Sequence, residues 1–345
     1  MLQAIFHAWE RRLAAATQDR VVRPFEWGLD WIPQNGCRSA DAAERTATWV
    51  RNIMSDTDRF YSAPATADYT LRGLTRGEAL LTFPSAIDTP HRENNTVYAR
   101  FFSPTRAKKE SRQAAVLVLP QWNADADGHV GLSRLLTMYG LSALRLSLPY
   151  HDHRMPPELH RADYIVSSNI VRTLQVCRQA VLDARRAIAW LHGQGFERIG
   201  ILGSSLGSCL ALLTTAHEPL IDVQALNHVS PYFADVVWRG ISTAHVRQGL
   251  DGHIDLDRLR ELWQPISPAH FLGRIRGRKT LLVYARYDLT FPPDLSRELI
   301  RQFEEERVPH EVAVLRCGHY TSGKTPFKFV DGMILSRFLR RALLS

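Results

Sequence analysis

Residues 114–120, Ala-Ala-Val-Leu-Val-Leu-Pro, constrain this chain most. The run is apolar at every position, too short for a helix, and follows the polar stretch TRAKKESRQ (105–113). A strand without polar alternation has to be covered on both faces. Downstream, strand and helix patterns alternate. Helix 129–139 precedes a strand at 142–149, and a long helix follows over 168–193. In that helix Val171, Leu174, Val181, Ile188 and Leu191 fall near helical spacing, and Gly193 and Gly195 end it. Next come a strand at 198–202, a helix from Leu206, strands at 223–229 and 279–285, a helix over 293–306, a strand at 310–317 and a terminal helix from 326. Repeated strand–helix units on short connections predict an α/β fold with a mainly parallel sheet and helices on both faces.

The flanks divide the chain further. Residues 1–78 carry Phe25, Trp27, Trp31 and Trp49 with many arginines and no strand alternation, which predicts a helical N-terminal extension. The runs 80–87 and 96–104, joined by HRENN (91–95), read as a strand pair that opens the main domain. That domain is expected over 79–229 and 278–345. The stretch 230–277 is too long for one crossover and is expected as a helical lid over one end of the sheet.

Charge and cysteine usage narrow the class of protein. Lys+Arg number 43 against Asp+Glu 35, but the two signs interleave, so a mixed solvated surface is expected rather than a nucleic-acid groove. Cys37, Cys177, Cys209 and Cys317 are scattered, without metal-ligand or disulfide spacing. The first helix is amphipathic, with Leu2, Phe6, Trp9 and Leu13 on one face. It lacks the apolar core of a signal peptide, and packing on its own domain is expected rather than a membrane. A cytoplasmic enzyme is the expectation, its oligomeric state left open.

The strongest chemical signal is Gly203-Ser204-Ser205-Leu206-Gly207, directly after a strand and directly before the apolar helix SCLALLTTA. A serine on such a tight turn needs small residues two positions to either side. The helix N-terminus favours negative charge developing beside it. The competing reading is that Ser204 and Ser205 merely cap the helix. Among 14 histidines, His319 follows the last strand across Gly318, so it emerges at the sheet edge where Ser205 does. Asp288, in RYDLTFP just past strand 279–285, fits the acid that would orient the imidazole, with Asp235 as its rival. The loop His151-Asp152-His153 admits a metal reading, but no further ligands cluster with it, and a substrate contact or wall role is preferred.

Together GSSLG, RYDLTFP and CGHYTSG, in that order, resemble the α/β-hydrolase superfamily, in its serine esterase-like branch, over about residues 80–340. The resemblance implies an oxyanion hole from the amide of Leu206 and one in the loop Pro120-Gln121-Trp122-Asn123. There Trp122 is the matching position and Gln121 the alternative. It also places Gln121 and His151 toward substrate at the mouth of the site; in the insertion Trp238 is read on an apolar lid face toward substrate, with packing on the core as the alternative, and His129 either lines the pocket or begins a helix. The expected activity is a carboxylic ester hydrolase of the EC 3.1.1 class, acting on a small-molecule ester through an acyl-enzyme of Ser205, with no metal or organic cofactor. Thioester hydrolysis, acyl transfer, or a non-catalytic binding protein on the same fold are the alternatives.

Overall fold

The computed structural model describes residues 2–32, 41–104 and 113–344; Cys37 and the polar segment 105–112 lie outside them. The N-terminal part holds helices α1 (Leu2–Ala15), α2 (Ala42–Ser55) and α3 (Thr57–Phe60). It is not helical throughout. Strand β1 (Thr70–Thr75) already pairs antiparallel with β2 (Glu78–Pro84), so the sheet begins inside the stretch expected as a helical extension. All six residues of β1 are exposed. An edge strand with nothing packed on it needs no apolar alternation, which is why sequence pattern passes over it.

Strand β3 (Thr96–Phe102) follows, then β4 (Ala114–Leu119), helix α4 (Val130–Met138), β5 (Ser142–Leu146), α5 (Ile170–Gly193), β6 (Arg198–Ser204), α6 (Leu206–His217) and β7 (Ile221–Asn227). The stretch expected as a lid carries three short helices, α7 (Phe233–Arg239), α8 (Ala244–Leu250) and α9 (Leu256–Leu262), with 3-10 turns between and after them. The chain closes with β8 (Lys279–Ala285), α10 (Pro293–Glu305), β9 (His310–Leu315), α11 (His319–Ser322) and α12 (Phe327–Leu344). The nine strands run in the order β1-β2-β3-β5-β4-β6-β7-β8-β9. Pairing is antiparallel as far as β5 and parallel from β5 to β9.

Strand β4 shows why its sequence is apolar at every position. Ala115, Leu117 and Leu119 enter one core with α5 and α6, while Ala114, Val116 and Val118 enter the other with α4 and α12. The strand order reverses at β4, between β5 on one side and β6 on the other, and the crevice beyond the strand ends at such a point is where open α/β sheets bind ligands. The first core also contains a closed polar cluster: Arg154 and Asp183, both fully buried, pair at 2.8 Å. Asp183 further accepts from Ser85 Oγ and Ala86 N, and Arg154 donates to Asn94 O and Ser147 O. Among the described residues no helix is long and apolar enough to cross a membrane.

Candidate active site

The turn between β6 and α6 forces Ser205 to φ 55°, ψ −120°, a conformation strained for any residue with a side chain. The flanking glycines are sterically required. A Cβ at 203 would lie 2.0 Å from Gly207 O, and one at 207 would lie 2.2 Å from Leu119 O. The backbone of Ser205 is pinned by its N–H to Asn227 O at 2.8 Å and by Ser208 Oγ donating to its carbonyl at 2.7 Å. Its hydroxyl makes no capping bond to α6, so the capping alternative does not describe this serine.

Asp288 and His319 meet at the same edge. His319 Nδ1 lies 3.1 Å from Asp288 Oδ2, and its ring stacks on Phe291 with centroids 5.4 Å apart. The other carboxylate oxygen accepts from Thr290 N and Phe291 N, both at 2.7 Å. Burial alone would raise the Asp288 carboxyl, but the two imidazoles beside it, His319 and His228, hold it far below the usual carboxylate range. The rival acid is elsewhere engaged. Asp235 is buried in α7 and takes two bonds from Arg260, at 2.6 and 2.8 Å.

Ser205, Leu206, Gln121, Trp122, His129, His228 and His319 all line one cavity of about 970 Å³. As the first residue of α6, Leu206 has no i−4 carbonyl inside the helix for its N–H. Trp122 is held by its indole N–H to Ala162 O at 2.9 Å, with its ring stacked on His245 and under the Arg161 guanidinium.

Two residues expected at substrate sit elsewhere. His151 is buried beneath the loop: its Nε2 accepts from Asn123 N at 2.9 Å and its Nδ1 donates to Pro149 O at 2.9 Å, so it holds the 121–123 turn instead of facing the cavity. Burial depresses it to about 4, in keeping with the neutral tautomer those bonds require. Trp238 lies off the cavity lining, half-buried with the Arg247 guanidinium 5.0 Å from its ring. Asp152, in the metal reading of that loop, pairs instead with Arg145 at 2.7 Å and accepts from Ser147 Oγ. Of the described residues, only His228, Asp288 and His319 bring ligand atoms within 4.8 Å of one another, but both imidazole Nδ1 atoms are committed to Asp288.

The N-terminal part, whose role the sequence leaves unread, helps build the site. Thr17, Asp19 and Arg20 line the cavity; Asp19 pairs with Arg161, and Arg20 donates to Tyr320 Oη at 2.8 Å. Glu10, on α1 and fully buried, accepts from Tyr320 N at 3.0 Å and Thr321 N at 2.9 Å, fixing the turn that presents His319. Removing that carboxylate strands two donors inside the protein. Glu10→Ala is therefore expected to lower stability by about 1–3 kcal/mol, read as a fall in the urea midpoint. An unchanged midpoint would show that water replaces the carboxylate without loss.

No protein-family model matches the chain, and no curated protein matches it by sequence. Solved structures do match by shape. Acetyl xylan esterase from a Paenibacillus species superposes with a TM-score of 0.63 at 14% identity, covering 91% of this chain and 98% of that one. Acetyl xylan esterase 1 from a Thermoanaerobacterium species gives 0.59 at 12%, covering 95% and 98%. Acylaminoacyl peptidase from Pyrococcus horikoshii gives 0.61 at 14%, covering 80% of this chain but only 42% of the peptidase. At these identities the likeness is one of fold.

Proposed function

We propose that this chain, which has the α/β-hydrolase fold, is a serine hydrolase that cleaves carboxylic esters through an acyl-enzyme. The observation that carries the reading is the strained Ser205 on the wall of the same cavity as a His319 already bonded to Asp288. With Nδ1–H committed to the carboxylate, Nε2 of neutral His319 is the nitrogen with a lone pair, and it takes the Ser205 proton as Oγ attacks the carbonyl. The amides of Leu206 and Trp122 receive the developing oxyanion. His319 then gives its proton to the departing alcohol, and water, activated by the same imidazole, releases the acid.

Ester is preferred to amide because the neighbours named as acetyl xylan esterases match this chain nearly end to end, whereas the peptidase does so over less than half its own length. We further propose a cytoplasmic location, which the burial of the free thiols Cys177, Cys209 and Cys317 supports. Intact-mass labelling with a fluorophosphonate tests the reading without a known substrate. One adduct per chain, mapped to Ser205 and lost in His319→Ala, is expected. A folded protein that takes no adduct, or takes it on another serine, would overturn the reading.

A further inference from the structure

His228 stands one residue beyond the end of β7, at φ 59°, beside His319 on the same oxygen of Asp288. Its Nδ1 lies 2.9 Å from Asp288 Oδ2, the same oxygen that His319 Nδ1 meets at 3.1 Å, and the two ring centroids are 4.4 Å apart. Its Nε2 lies 3.2 Å from Ser322 Oγ. That hydroxyl gives its one proton to His319 O, at 2.6 Å, so toward His228 it can only accept. An ionised carboxylate likewise only accepts. Both ring nitrogens of His228 must then be donors, and a histidine with two N–H groups is a cation.

The surroundings agree. The charged and titratable groups facing the ring are Asp288 from the loop after β8, His319 from the start of α11, Asp331 from α12 and Glu10 from α1. The Cys317 thiol close to these acids is pushed up to about 12 by burial and stays neutral. Burial opposes charge on His228, but the bond and charge of Asp288, followed by Asp331 and Glu10, outweigh it and leave the imidazole raised.

We propose that His228 is a positioning residue, a resident imidazolium that shares the triad carboxylate with His319 and extends activity to lower pH. The inference rests on the hydrolase reading. A second cation on Asp288 takes up part of the charge that the carboxylate would otherwise direct at His319 alone. The cost appears during turnover, when the proton from Ser205 places two cations on one carboxylate. Asp331, whose carboxyl burial raises and whose Oδ2 accepts from Asn227 at 2.8 Å, is the nearby acid able to share that charge.

The test pairs spectroscopy with kinetics. In 15N-histidine-labelled wild-type protein, one imidazole is expected to keep both nitrogens protonated through pH 7.5, and its signals are expected to vanish in His228→Gln. In that variant, which keeps a neutral N–H donor toward Asp288, the acid limb of kcat/KM for p-nitrophenyl acetate is expected to move up by about one pH unit. If the variant does not fold, the wild-type spectrum still decides, because a chain with no doubly protonated histidine at pH 7.5 overturns the inference. An unmoved acid limb in a folded variant does so too. A fluorophosphonate adduct on Ser205 with a neutral His228 overturns this inference alone, whereas absence of any adduct overturns the hydrolase reading and this inference with it.

Discussion

Ser205→Ala is expected to lower kcat for ester hydrolysis by roughly 10⁴- to 10⁶-fold, with kcat/KM falling in step. On the proposed mechanism Ser205 acts as a unit with His319 and Asp288, so once it is gone the base and acid have nothing to activate. What remains is binding and the Leu206 and Trp122 amides. Stability should barely respond. The hydroxyl makes no capping bond to α6, and alanine meets the same backbone strain at φ 55°, ψ −120°. Ser205→Gly separates the two effects: it should be as inactive as the alanine variant yet more stable by about 1 kcal/mol, because glycine alone adopts this conformation without penalty. Steady-state rates and urea melts of the three proteins check both halves. An alanine variant within tenfold of wild type would remove Ser205 from the mechanism, and a glycine variant no more stable than alanine would remove the strain.

What the sequence made legible follows from which interactions write a pattern into it. Strand β4 is covered on both faces and so reads as an unbroken apolar run, and GSSLG reads because two backbones approach within contact distance at Gly203 and Gly207. Asp288 and His319 were within reach because both stand just past strands at one edge of the sheet. Other features leave no such trace. Strand β1 buries nothing. Glu10 and the turn after His319 meet across most of the chain length, and a lone buried glutamate in an amphipathic helix looks like any solvated one. The position of its loop at the mouth points His151 toward substrate, whereas its bond to the Asn123 amide depends on a side-chain direction that no spacing reveals. His228 was visible only as one residue of the apolar-flanked stretch VQALNHV, with nothing to mark that it would share the carboxylate of Asp288.

Acid should weaken this protein steadily from pH 6.5 to pH 4, by several kcal/mol. Four histidines carry most of the effect, His129, His151, His217 and His245, with His270 lowered in the same direction. His151 accepts from the Asn123 amide, His217 bonds Leu213 O between the rings of Tyr61 and Phe271, and His245 stacks on Trp122 with neither ring nitrogen bonded. Burial lowers these three and His129 to about 4. In the unfolded chain they titrate near 6.5, so between those values the unfolded state binds more protons and stability falls with pH, by roughly 3 kcal/mol for each group. Asp163 and Asp331, both raised mainly by burial, work in the opposite direction and reduce the sum. The other two shifted groups at the site act outside this window. His228, raised, contributes stability that is complete below pH 6.5 and is lost only as pH climbs through its folded value. Asp288, strongly lowered, begins to lose its contribution only below its ordinary carboxylate value. Because whole-domain stability is typically about 5–15 kcal/mol, the folded state should approach its limit near pH 4. Hydrolysis should fail first, since His151 and His245 both touch the loop that carries Trp122. Urea midpoints measured at half-unit intervals from pH 7 to pH 4 read the slope directly. His217→Gln, remote from the cavity, should flatten that slope by about 3 kcal/mol over the window while leaving the acid limb of hydrolysis in place. A urea midpoint independent of pH over this range would show that these imidazoles titrate in the folded protein as they do in the unfolded chain.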